Sequence, residues 1–173
     1  MDKNKGFSLI ELMIAISMIG ILIAVVTPNM QKWIDNQRAG SSADTIRSLF
    51  ELAKMEAIKN QANVAVRFTT GTGSAGSYIV FLDNGATPES FDAGERTVSQ
   101  GSVEKDITLL SAVFPGTTNT NVAVFNQMGL ASNSAGTVSI SNAAGDLFKQ
   151  VQLSNSGVAR TLSSPTGADG SWK

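Results

Sequence analysis

The sequence predicts an α+β fold: a long N-terminal helix, transmembrane in its first half, packed on an antiparallel β-sheet head. Three observations carry this expectation. Residues 7–26 are apolar apart from Ser8, Glu11, Ser17 and Gly20. Over residues 29–60, apolar side chains recur at three- and four-residue steps, the period of a half-buried helix. From Gln61 onward Gly, Ser, Thr and Asn dominate, and the apolar residues fall into short alternating runs, the period of strands.

Residues 1–6 form a polar leader in which Lys3 and Lys5 stand against Asp2. The segment 7–28 follows. As a helix its apolar run is about 30 Å long, the thickness of a bilayer hydrocarbon core. Positive charge on its N-terminal flank should hold the leader in the cytoplasm and send the rest across. Pro28 removes one backbone hydrogen bond and crowds the turn before it, so a helix kink is expected there. In the continuation 29–60, Met30, Trp33, Ile34, Ala43, Ile46, Leu49, Phe50, Ala53, Ala57 and Ile58 make the apolar face. Charged residues from Lys32 to Glu56 fill other positions, and Gly40-Ser41-Ser42 is a soft point. This face is the expected lid of the sheet.

The head spans 61–173. Strands are expected at 63–68, 77–83, 107–114, 121–125, 137–141, 148–154 and 158–162, mostly as antiparallel hairpins. GTGSAG reads as a linker, Asp83-Asn84-Gly85 as a turn, 89–103 as a long polar loop, and the tail SSPTGADGSWK as frayed. Asp83 lacks the further spaced carboxylates of a calcium loop. Trp33 is expected to pack at a membrane interface or on a neighbouring helix.

Composition narrows the function. The 173 residues include no cysteine and no histidine, so Cys/His zinc sites and the Ser-His-Asp and Cys-His machineries are excluded. No enzyme, no cofactor and no metal site is expected. A net charge of -1 gives no bulk attraction to nucleic acid or to anionic membranes.

Glu11 is the anomaly. A carboxylate inside a membrane helix costs about 2.5–3.5 kcal/mol near its centre and less near its end. A secretory signal peptide does not explain it, because no small-x-small cleavage site follows the apolar run. The stretch KGFSLIELMIAISMIGILIAVVTP resembles the type IV prepilin signal. Gly6 precedes Phe7, Glu11 is fifth counted from Phe7, and Pro28 is twenty-second. The resemblance implies cleavage between Gly6 and Phe7 by a membrane prepilin peptidase, followed by N-methylation of the Phe7 amine. It also implies that Glu11 of one subunit pairs with the Phe7 amine of a neighbour and so fixes subunit registry.

Farther along, KMEAIKNQANVAVRF, VAVFNQMGLASNSAGTVSIS and KQVQLSNSGVAR resemble the GspH/FimT-type minor pilins and pseudopilins, with Gly129, Gly157 and Arg160 as anchors. That resemblance implies a minor pilin of a type IV pilus that helps to prime filament assembly. The alternatives are an H-type minor pseudopilin of a type II secretion system and a DNA-binding minor pilin for natural transformation. The implied partners are other pilins or pseudopilins, the prepilin peptidase and an inner-membrane assembly platform. The implied location is the inner membrane, single-pass with a periplasmic head, and then the filament. For DNA, the family's G-R-x-R stretch falls on Gly157-Val158-Ala159-Arg160, which leaves Arg160 as the possible contact. The head carries six basic and eight acidic residues, which argues against nucleic acid as a partner.

Overall fold

The computed structural model describes residues 7–131, 134–167 and 172–173, with the side chains of 25–29 outside the description. Gly6 and the side chain of Pro28 therefore lie outside the described residues. The chain divides into two compact units, one ending at Ile34 and the other spanning Asp35–Lys173. Helix α1 (Leu9–Asn60) enters both.

In the first unit the described apolar side chains of α1, from Leu9 to Ile23, are all exposed. A helix that is apolar all round needs an apolar surrounding. Among the described residues no helix is long and apolar enough to cross a membrane. Within the helix, described side chains cover 9–24 of the apolar run, about 24 Å against a core of about 30 Å.

In the second unit, the strands are β1 (Val64–Thr69), β2 (Gly71–Thr72), β3 (Ser77–Leu82), β4 (Thr97–Ser102), β5 (Thr108–Val113), β6 (Val122–Phe125), β7 (Gly136–Ser141), β8 (Phe148–Leu153) and β9 (Ala159–Ser164). They form two antiparallel sheets, ordered β4-β3-β1-β6 and β2-β5-β7-β8-β9. The α+β expectation thus holds, with two sheets under one helix.

Strand alternation explains why the first sheet is buried on both faces. Val64, Val66 and Phe68 of β1 stand opposite Leu82, Val80 and Tyr78 of β3 and point into the main core. Ala65 and Phe81 point the other way, into a smaller cluster with Val122. Phe91, from the β3–β4 connection, covers that cluster with its ring 5.2 Å from that of Phe81.

In the main core, α1 contributes Ala39, Ala43, Ile46, Leu49, Phe50, Ala53 and Ala57. The four alanines let the helix backbone approach the strands closely. Phe50 is fully buried and sits edge-on to Phe68 at 5.8 Å and to Phe114 at 6.1 Å. Burying such a ring contributes about 1.5–3 kcal/mol, and edge-to-face contacts add about 0.5–1.5 kcal/mol.

Several details differ from the sequence expectation. Residues 89–103 are not wholly loop: β4 lies inside them and pairs with β3. Its sequence TVSQGS has no apolar alternation because it is a polar edge strand. GTGSAG is more than a linker, since it holds β2 and a 3-10 turn at Gly73–Ala75. Met30, Trp33, Ile34 and Ile58 of the expected apolar face are exposed. At the soft point, Ser42 is buried and its Oγ accepts the Glu104 N–H at 3.3 Å, so small residues here serve close contact with the head. The tail is not simply frayed: Ser163 and Lys173 exchange two backbone hydrogen bonds of 2.9 and 3.1 Å.

Candidate functional site

The sequence places its site residues at the start of α1 and at the β8–β9 turn. At the start of α1, Ser8 is the N-cap. Its Oγ accepts the Ile10 N–H at 3.3 Å, and its carbonyl accepts the Leu12 N–H at 3.2 Å. Glu11 Oε2 reaches back to accept the Ser8 N–H at 2.9 Å. Together the two side chains satisfy amide donors that a helix start leaves open, in a variant of the capping box whose serine takes the second helical amide in place of the third. The S-x-x-E spacing that encodes it is legible in the sequence, although the sequence reading passed over Ser8. A carboxylate near a helix N-terminus is also favoured by the helix dipole. Phe7, 91% exposed, stands one residue before the cap. Phe7 thus lies just outside the helix, while Glu11 bonds the Ser8 N–H inside its first turn. Ser17 satisfies its own hydroxyl by donating to the Met13 carbonyl at 2.8 Å.

Arg160 belongs to the second unit. Its Nε and Nη2 donate to Gln152 Oε1 at 3.1 and 2.9 Å across the β8–β9 pair. It lines an open groove of about 740 Å3 together with Val158, Ser154 and Ser156, and it is the only cation among the residues lining that groove. One arginine fits a single anionic group and supplies little of the multiple phosphate neutralisation that duplex binding draws on.

The two glycine anchors have a geometric reason. Gly129 and Gly157 have φ of +73° and +72°, the left-handed region that favours glycine. A Cβ on Gly157 would run into the Gly129 carbonyl, and one on Gly129 would lie 2.8 Å from Ile58 Cδ1. Lys54 Nζ of α1 donates to the Ser156 carbonyl at 3.4 Å and ties the helix to this turn. The sequence showed the glycines and not their mutual contact, which joins residues far apart in the chain.

Two carboxyl groups are displaced from their ordinary behaviour. Hydrogen bonds from the Lys59 ammonium (3.0 Å) and the Asn60 amide (2.8 Å) hold the Glu56 carboxyl below the usual range. Burial pushes Asp83 up, and neighbouring Glu95, Glu89 and Asp92 add to this, against the lowering effect of the Glu89 N–H bond. Among the described residues no group of three or more His, Cys, Asp or Glu side chains is arranged to hold a metal ion.

Comparison with known proteins agrees with this geometry. The family model described as "Type II transport protein GspH" matches residues 42–157, and the "Prokaryotic N-terminal methylation motif" matches residues 1–27. The type IV major pilin protein PilA of Myxococcus xanthus is 36% identical over 52 residues, covering 30% of this chain and 24% of that protein. The type II secretion system core protein G of Escherichia coli is 33% identical over 58 residues, covering 32% and 40%. A fimbrial protein of Pseudomonas aeruginosa is 34% identical over 97 residues, covering 49% and 63%. The chain thus spans less than two thirds of the length of these relatives. The crystal structure of the Pseudomonas aeruginosa type IV minor pilin FimU matches with a TM-score of 0.52 and 11% identity, covering 74% of this chain and 90% of that one, which speaks to the fold. With one family model matched over more than half of its length and the methylation motif at its start, the chain belongs to the GspH family of type IV pilin-like proteins.

Proposed function

We propose that this chain is a minor pilin that helps to prime assembly of a type IV pilus. The observation that carries the reading is the start of α1, where Phe7 stands just ahead of a helix end capped by Ser8 and Glu11 and the described apolar side chains from Leu9 to Ile23 are all exposed. In this reading a prepilin peptidase cuts between Gly6 and Phe7, and the new Phe7 amine is methylated and keeps its positive charge. The segment 7–28 anchors the subunit in the inner membrane with its head in the periplasm, bent at Pro28, until the assembly platform moves it into the filament. Glu11 then leaves its own Ser8 N–H and pairs with the Phe7 amine of a neighbouring pilin. Both charges sit in a low dielectric, where an unpaired one is costly and a paired one is tolerated. Registry between subunits follows from that pairing.

A second reading, an H-type minor pseudopilin of a type II secretion system, uses the same residues and draws support from the description of the matching family. One strain experiment tests both. Glu11→Val should lower filament number while leaving the head folded by circular dichroism. Loss of surface pili with secretion intact supports the pilus reading, and loss of secretion with pili intact supports the other. Normal pili and normal secretion in the Glu11→Val strain would sink both.

A further inference from the structure

One end of the second unit carries an apolar surface that the core does not use. Met55 and Ile58 on α1, Met128 in the turn after β6 and Val158 just before β9 are 61%, 48%, 72% and 59% exposed. They come from three separate segments, and the structure joins those segments. Gly129 packs so closely on the helix that a Cβ there would lie 2.8 Å from Ile58 Cδ1 and 3.0 Å from Lys54 Cγ. Gly157 abuts the Gly129 carbonyl, and a Cβ on it would lie 3.5 Å from Lys54 Cδ. Met128 and Val158 are the immediate neighbours of these two glycines. The glycine contact therefore brings the segments that carry Ile58, Met128 and Val158 together, with Met55 three residues before Ile58 on the helix, and clustered apolar exposure of this kind marks interaction sites.

Charge at the rim says what the surface accepts. Lys54 bonds the Ser156 carbonyl, and Arg160 bonds Gln152; neither has a carboxylate partner among the described residues. The acids on the adjacent stretch of helix are already engaged, Glu51 by Arg47 at 3.3 Å and Glu56 by Lys59 at 3.0 Å. The turns at 126–130 and 154–158 contain no acidic residue. Two cations beside four aliphatic or thioether side chains complement a protein segment that is itself aliphatic and carries carboxylates. Methionines, flexible and polarizable, adapt to such a segment.

We propose that this end of the head is a docking surface for an acidic, aliphatic segment of a neighbouring pilin-like subunit, an inference that rests on the assembly role proposed above. Duplex DNA fits it poorly, because the aliphatic side chains offer nothing to a phosphate backbone and two cations neutralise few charges.

The test uses the full chain in its own cells, with p-benzoylphenylalanine in place of Val158, or in place of Ile16 as a probe of the helix. Irradiation at the Val158 position should give an adduct with a pilin-like subunit, and the labelled peptide should contain aliphatic residues and at least one Asp or Glu. Adding Met128→Asp, at a residue exposed enough to tolerate it, should lower the yield by about fivefold or more, and Arg160→Glu should lower it similarly. An adduct with nucleic acid or lipid, a labelled peptide without carboxylates, or a yield unmoved by Met128→Asp would overturn the proposal. If the Ile16 probe labels a pilin-like subunit and the Val158 probe labels none, the docking surface is refuted and the assembly reading stands. If neither probe labels such a subunit, both fall.

Discussion

At the scale of single residues, the head depends on side chains that are absent as much as on those present. Gly157 is the clearest case. It holds a left-handed φ of +72° and touches the Gly129 carbonyl, while Phe125 Cε1 would lie 3.3 Å from any Cβ placed there. Left-handed backbone costs an L-residue roughly 1–2 kcal/mol, and forcing an extra methyl into a packed site adds about 1–3 kcal/mol. Gly157→Ala should therefore destabilise the second unit by about 2–5 kcal/mol. The same methyl at Gly145, also left-handed with φ +67° but with no neighbour within 4 Å, should cost only the backbone part. Urea unfolding of the two variants side by side measures the difference. Equal losses at the two positions would mean that the Gly129–Gly157 contact carries no weight. Phe50 is the opposite kind of residue: it packs edge-on or tilted against Phe68, Phe114 and Phe125 and so joins the helix to the head.

Among the elements, the connection between β3 and β4 is the least readable from sequence and the most informative in structure. It is polar, yet it is pinned. Glu95 accepts the N–H groups of Asn84, Gly85 and Asp92 at 3.0, 2.7 and 2.9 Å, and Asp92 accepts that of Thr87 at 2.8 Å. Asp83 accepts the Glu89 N–H, and Glu89 in turn accepts the Asn119 N–H at 2.8 Å. Like charges gathered in this way oppose one another, which is part of why Asp83 titrates above its ordinary value of 3.8. A raised carboxyl stabilises the fold when protonated; its contribution is full below the unfolded value and is lost as pH rises through the folded one. Glu56, lowered from 4.5, has the opposite sign, with stability present at neutral pH and lost as pH falls. Asp83→Asn keeps an acceptor for the Glu89 N–H and removes the charge. It should raise the urea midpoint at pH 7 and lose that advantage at pH 3, where both forms are neutral. Chemical denaturation at the two pH values checks it, and a gain that persists at pH 3 would rule out the charge as its cause.

Legibility follows the same physics. Strands β1, β3 and β6 were visible as short apolar runs, β5, β7 and β8 because apolar and polar residues alternate, and β9 from the turn before it. β4 was hidden because an edge strand needs only backbone partners, which any sequence supplies. The division into two sheets was hidden for a related reason: the β1–β6 and β2–β5 pairs join segments distant in sequence, and no local pattern encodes them. At the start of α1 the Ser8–Glu11 cap was visible, since its residues are three apart in the chain, whereas the contact between Lys54 and the β8–β9 turn spans 102 positions.

For the whole molecule, the division at Ile34 and Asp35 has a direct consequence. Three polar ties between helix and head lie on the second side of it, made by Arg38, Asn36 and Lys54. Arg38 Nη1 meets Asp35 Oδ1 at 3.4 Å and Asp106 Oδ2 at 3.1 Å, and Asp106 holds a left-handed φ of +62° there. Asn142, buried, donates to Asn36 Oδ1 at 2.9 Å and to Asp146 Oδ1 at 2.7 Å. The main core draws its helix residues from Ala39 onward. A chain beginning at Met30 therefore retains the core and these ties, and it loses the apolar run whose described side chains are all exposed. Short helices are marginal alone, so the remaining α1 segment must take its stability from the sheets beneath it. The 30–173 chain should accordingly be soluble without detergent, show mixed helix and strand by circular dichroism, and unfold in one cooperative transition in which helix and strand signals are lost together. Helix signal lost well before strand signal would mean that the alanine-lined face does not bind the helix to the sheets, and an insoluble or unfolded chain would mean that residues 1–29 belong to the folding unit after all.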